Sequence, residues 1–210
     1  MHKRGPLVPI LMAAFIIVLA TILERFFTLS VASGKGSIPT FVQKINSLLN
    51  NNQVDSAIAE CDKQKGSVAN VIREGLNKYK EMSVKAGLDK DQKVIAIQKE
   101  IEEATSLELP MLEKNLVILA TISSVATLLG LLGTVFGMIR AFSAIATAGA
   151  PDAVALSTGI SEALINTALG ISTSATAIIF YNYFTTKIDG LTYGIDEAGF
   201  SISQTFAAKH

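Results

Sequence analysis

Apolar positions along this chain gather into three runs, and the polar positions concentrate in one long stretch between the first and the second. Residues 116–139 and 163–184 are rich in glycine and hydroxyl side chains, yet neither run contains a charged residue. A helix that crosses a bilayer needs roughly 20 apolar residues to cover a hydrocarbon core of about 30 Å, so both runs predict membrane-spanning helices. A third run, residues 7–23, lies between Lys3 and Arg4 on one side and Glu24 and Arg25 on the other. It is longer than the apolar part of a signal peptide, and Glu24, Arg25 and Phe27 precede the weak small-residue site Val31-Ala32-Ser33. That order predicts a retained first span.

The polar stretch carries helical periodicity. Ser37-Ile38-Pro39 opens a pattern of Phe41, Ile45, Leu48 and Leu49, then Val54, Ile58 and Cys61, interrupted by Asn50-Asn51-Asn52. Val68, Val71, Ile72, Leu76 and Tyr79 continue it after Gly66, and Asp89 or Asp91 is placed to cap a further helix through Val94, Ile97, Ile101 and Leu107. Helices so few do not bury a large independent core, and they are expected to pack on one another and on neighbouring subunits. The last is expected to run almost continuously into the second span, with Pro110 as the kink point. Glu100, Glu102, Glu103 and Glu108 with Lys99 and Lys114 read as a solvated face, a charged cytoplasmic vestibule being the alternative.

Charge narrows the function classes. The 210 residues carry 18 basic and 18 acidic side chains, which leaves no uncompensated basic surface for nucleic acid. Cys61 has no second cysteine to pair with and no zinc-ligand spacing around it, and His2 and His210 sit at the chain ends, so neither a metal nor another cofactor is expected. The polar stretch contains no nucleophile–base pair or phosphate loop, and no enzyme activity is expected. From Ala141 to Thr186 there is no Lys or Arg, whereas the insertion and the tail with Lys187 and Lys209 are basic at their membrane ends. Positive charge stays on the cytoplasmic side; Lys3 and Arg4 oppose the resulting orientation but are outnumbered. The expected plan is an all-α integral membrane protein whose long helices extend into the cytoplasm. Residues 1–6 form an outer N-terminus, 7–23 the first span, 24–115 a helical cytoplasmic insertion, 116–144 the second span, 145–160 a short outer connection, 161–186 the third span and 187–210 a cytoplasmic tail.

Two of the spans carry small and polar stripes. Ser123, Thr127, Gly130, Thr134, Gly137 and Ala141 follow one another at steps of four, three, four, three and four, which puts them on one face of a helix. Lipid tails offer such a face nothing, so it meets protein; for Ser123, Thr127 and the glycines packing is the favoured reading. In the third span Glu162, Asn166, Thr167, Gly170, Thr173 and Ser174 fall within an arc of about 140°. Glu162 and Asn166 are expected to point inward, because such groups are costly in hydrocarbon. Glu162 fits either a helix-start carboxylate favoured by the helix dipole or a direct role in transport. Neither span supplies a carboxylate, histidine or lysine at mid-membrane. Either the protein moves no ions and is a non-conducting scaffold, or the acid arrives on another polypeptide.

The segments Leu131-Leu132-Gly133-Thr134-Val135-Phe136-Gly137-Met138-Ile139 and Gly159-Ile160-Ser161-Glu162-Ala163-Leu164-Ile165-Asn166-Thr167-Ala168-Leu169-Gly170, with Tyr181-Asn182 further on, resemble the TolQ/ExbB/MotA proton-channel family, and its ExbB and TolQ branch most closely. The resemblance covers the whole plan of three spans, a large insertion after the first and a short outer connection. It implies a homopentamer in the bacterial inner membrane, with a periplasmic N-terminus and a central pore occupied by two copies of an ExbD- or TolR-like single-span partner. That partner would bring a membrane aspartate, and a TonB- or TolA-like force transducer would follow it. By motif position Thr134 and Thr167 become pore-lining hydroxyls facing that aspartate, and Glu162 the acidic residue at the head of the third helix. The implied function is a stator-like channel that uses the proton motive force to drive outer-membrane transport or envelope maintenance, with a MotA-like motility role as the alternative; the ion implied is the proton. One departure stands out. Where the family commonly has Ala-Ile-Pro-Ala, this chain has Ser174-Ala175-Thr176-Ala177, and Thr176 is placed to bond back one turn and bend the helix mildly.

Overall fold

The computed structural model describes residues 7–147 and 153–209 and contains, among these, seven helices and no strand. They are α1 (Leu7–Ala32), α2 (Ile38–Asn50), α3 (Val54–Gln64), α4 (Gly66–Val84), α5 (Lys90–Glu113), α6 (Leu116–Thr147) and α7 (Ala153–Lys209). Three helical stretches, Leu7–Ala32, Lys90–Ala146 and Ala153–Lys209, are long and apolar enough to cross a membrane. The chain folds as two compact units: residues 1–25 with 115–184, and residues 26–114 with 185–210. Helices α1 and α7 each contribute one stretch to either unit.

In the second unit the sequence punctuation sets the helix ends. Pro39 lies in the first turn of α2, where its missing N–H costs nothing. Asn52, at φ 61°, ends the α2 turn as the asparagine triplet predicts. Gly34 and Gly66 have φ of 70° and 86°, and their backbones touch the facing turns: a Cβ on Gly34 would lie 2.1 Å from the Lys65 carbonyl oxygen, and one on Gly66 2.4 Å from that of Ala32. The Lys35 N–H donates to the Gln64 carbonyl at 2.7 Å beside this contact. Asp89 caps α5, and its own N–H donates to Gln92 Oε1 at 3.1 Å. Pro110 does not interrupt this helix. The break falls at Lys114 and Asn115, with Asn115 at φ 65°. A residue in the left-handed region ends the helix, and asparagine tolerates that conformation better than most.

Residues 187–210, read from sequence as a tail, extend α7 as helix through Lys209. Ile188, Leu191, Ile195, Ala198, Ile202 and Phe206 are buried at helical spacing. They complete a core with Phe41, Ile45 and Leu49 of α2, Ile72, Leu76, Tyr79 and Met82 of α4, and Ile97 of α5. Tyr79 meets Phe206 edge to face with ring centroids 4.9 Å apart. Lys209 Nζ donates to the carbonyls of Leu49 and Asn50 at 2.5 and 3.0 Å and to Asn52 Oδ1 at 2.6 Å, which caps α2 with a positive charge. The insertion therefore owns more core than its own helices supply. Outside it lie ion pairs such as Lys80–Asp55 at 2.6 Å and Lys99–Glu103 at 3.5 Å; they are exposed and add little stability.

The first unit holds the three apolar runs. Ile16, Leu23, Leu128, Leu131, Ile139, Leu164, Ile171 and Ile179 are all exposed on it, a surface suited to lipid and costly in water. At one end of α1, Glu24 accepts from Arg25 Nε at 2.6 Å and from Asn115 Nδ2 at 3.3 Å, tying the first span to the start of the second. Helix α6 continues to Thr147 and α7 begins at Ala153, so helix takes up most of the expected 145–160 connection.

Two outcomes are expected for the second unit. Phe206→Ala removes a fully buried ring and should cost about 3 to 5 kcal/mol in chemical unfolding followed by circular dichroism, where an unpacked tail would show no change. Burial pushes the Cys61 thiol up to about 12, so iodoacetamide at pH 8 should label Cys61 only as fast as this unit opens, with labelling accelerating through the denaturant transition.

Candidate functional site

Helices α6 and α7 pack along a seam of backbone contacts. A Cβ on Gly170 would lie 2.7 Å from the Ala126 carbonyl oxygen and 2.8 Å from Gly130 Cα. One on Gly137 would lie 2.8 Å from both Ala163 Cβ and the Gly159 carbonyl oxygen, and one on Gly159 2.9 Å from Ala141 Cβ. Contacts descend α7 as they climb α6, so the helices run antiparallel. Seam positions 126, 130, 133, 137 and 141 are all buried. Small residues bring the backbones together because lipid gives two helices no hydrophobic reason to associate. Ser174 Oγ donates across the seam to the Ser123 carbonyl oxygen.

The polar residues expected on this face divide between the seam and its edges. Ser123, Gly130, Gly137, Asn166, Gly170 and Thr173 are buried. Thr127 is exposed, and Thr134, Thr167 and Ser174 are half-buried. Thr134 Oγ1 donates to the Leu131 carbonyl at 2.6 Å and Thr167 Oγ1 to that of Ala163 at 3.2 Å. Each hydroxyl thus spends its one proton on its own helix and keeps lone pairs to offer as an acceptor. Thr176 Oγ1 likewise donates to the Ser172 carbonyl at 2.8 Å, the back-bond expected in place of a proline. Such an edge can receive a hydrogen bond from a protonated acid or a hydrated proton; hydroxyls alone do not take up and release a proton near neutral pH.

Two further residues shape this site without a signal in the sequence. Arg140 Nη1 donates to both oxygens of Glu162, each at 3.1 Å, joining α6 to α7 by an ion pair. Gly133 faces Asn166: a Cβ there would lie 2.4 Å from Asn166 Cβ. Asn166 is 2% exposed, and its Oδ1 has no hydrogen-bond partner among the described residues. No group of three or more His, Cys, Asp or Glu side chains converges among the described residues.

The sequence model of the MotA/TolQ/ExbB proton channel family matches residues 63–197, more than half of the chain, and reaches from the second unit through both helices of the seam. The chain belongs to that family, and is a multi-pass membrane protein of it. It is 32% identical over 124 residues to the Tol-Pal system protein TolQ of Pseudomonas aeruginosa, a match covering 59% of this chain and 54% of that protein. It is 38% identical over 81 residues to the biopolymer transport protein ExbB of Pseudomonas putida, covering 39% of this chain and 25% of that one. Against an ExbB homologue of Methanothermobacter thermautotrophicus it is 30% identical over 191 residues, 90% of this chain and 63% of the relative. The matches thus span between a quarter and just under two thirds of these relatives' own lengths.

The seam predicts a contrast between two glycines. Gly170→Ala must push two backbones apart and should destabilise the detergent-solubilised protein by about 1 to 3 kcal/mol. Gly190→Ala, where an added Cβ meets nothing within 4 Å, should leave the thermal midpoint unchanged or raise it, as expected for alanine within a helix.

Proposed function

We propose that this chain is the proton-channel subunit of an inner-membrane, energy-transducing complex, and that its hydroxyl edge is half of an ion path. Family membership supports the class of activity. The carrying observation is chemical: Thr134 and Thr167 offer acceptors along a half-buried edge that lacks a titratable group, so a second polypeptide must bring one. The partner that fits is an ExbD- or TolR-like protein with a single span and a membrane carboxylate, two copies within a homopentamer of this chain. A TonB- or TolA-like transducer would carry the force onward to outer-membrane transport or envelope maintenance. Charge asymmetry supports a periplasmic N-terminus and a cytoplasmic C-terminus. Each proton crossing would release about 2.3 kcal/mol per 100 mV, so work on the envelope requires several. Glu162, which the resemblance also places on the path, has its carboxylate on Arg140, and its part follows from that pair.

Thr167→Val keeps volume and removes the acceptor. In vesicles carrying this chain with its single-span partner, proton flux should fall about 10- to 100-fold, the scale of one hydrogen bond to a charged group, while the complex still assembles. A scaffold would assemble and show no flux difference between Thr167→Val and the parent. Varying sodium at constant pH tests the ion: a current that follows sodium rejects the proton.

A further inference from the structure

Thr134 and Arg140 are six residues apart on α6, which at 3.6 residues per turn sets them about 120° apart, with Gly137 of the seam midway. Glu162 and Thr167 are five residues apart on α7 and about 140° apart, with Ala163 and Asn166 of the seam between them. Because the helices are antiparallel, Thr134 and Thr167 fall on one edge of the seam, and Arg140 and Glu162 on the other. The ion pair confirms the second half of that assignment: one guanidinium nitrogen holds both carboxylate oxygens at 3.1 Å. Phe136 of α6 and Ile165 of α7, flanking the pair, are exposed and apolar, and the Glu162 side chain is only 16% exposed. A lone charge on such an edge is expensive, and a paired one much less so.

We propose that Arg140 is a positioning residue for Glu162, and that the pair locks the register of α6 against α7 from behind the hydroxyl edge. Glu162 then acts through the lock and carries no proton itself. The inference rests on the conducting role given above to Thr134 and Thr167. Locking the seam here fixes where those two hydroxyls stand relative to each other, since Gly137 and Ala163 are in direct contact between the two edges.

The test is a mutant cycle read two ways: proton flux in vesicles holding this chain and its single-span partner, and the thermal midpoint of the purified oligomer. Glu162→Gln and Arg140→Gln each leave one charge unpaired and should each lower flux about tenfold and reduce the midpoint. Arg140→Lys keeps the charge and should stay near the parent. The double variant Arg140→Met with Glu162→Leu removes both charges at similar volume and should recover flux and midpoint together. An Arg140→Gln variant that conducts like the parent would overturn the proposal, and so would a double variant no better than Glu162→Gln, which would point to the Glu162 carboxylate itself. If Thr167→Val conducts normally while the double variant regains the parent midpoint, the conducting role fails and the lock stands.

Discussion

Two helices whose backbones touch are the constraint on which the first unit depends. Once Gly130 meets Gly170 and Gly137 meets Gly159, the backbones of α6 and α7 touch at these points, and the faces left over are fixed as two narrow edges and two broad outer surfaces. The broad surfaces carry Leu128, Leu131, Leu164 and Ile171 and suit lipid or another subunit's apolar face. The edges carry Thr134 and Thr167 on one side and the Arg140–Glu162 pair on the other, and the seam itself buries Ser123, Asn166 and Thr173. In hydrocarbon polar groups need a partner close by, and three in the seam find one within one turn or one helix spacing: Thr173 at the Leu169 carbonyl, Ser123 at that of Ala120 and Ser174 across at Ser123, whereas Asn166 Oδ1 has none among the described residues.

The second unit solves a different problem. Its helices α2 to α5 are short and charged outside, and each alone would bury little. The stretch of α7 from residue 185 onward adds a buried row that reaches Tyr79 through Phe206, and its final Lys209 closes the carbonyl end of α2. The charge network of Glu60, Lys44 and Lys63 lies on the surface of this unit; hydrogen bonding from Lys44 lowers the Glu60 carboxyl below its ordinary range.

Much of this was written in the sequence. Absence of charge over residues 116–139 and 163–184 marked two spans, and Asn50-Asn51-Asn52, Gly66 and Asp89 marked helix ends that the structure has. The small-residue stripe was readable too, but only to within about 60°, the angle between Gly137 and Thr134. Sequence spacing therefore merged seam and edge into one face, and only the facing helix separates Gly133, which touches Asn166, from Thr134, which stands aside. Arg140 is not legible in the sequence because it sits one residue past the apolar run and its partner lies 22 residues on; an ion pair between two helices leaves no local spacing signal. The row from Ile188 to Phe206 had helical periodicity in plain view, masked by Lys187, Asp189, Asp196 and Glu197 on the other faces. The short break at Lys114 and Asn115 is not legible, because a left-handed turn is chosen by surroundings that one residue does not reveal.

Gly133 and Asn166 divide a single volume between two helices. Enlarging the first without shrinking the second overfills it, and shrinking the second first hollows it out around a backbone with no side chain of its own. Sequence drift at this spot therefore has to cross a poor intermediate, and descendants of this chain should change both positions together or neither.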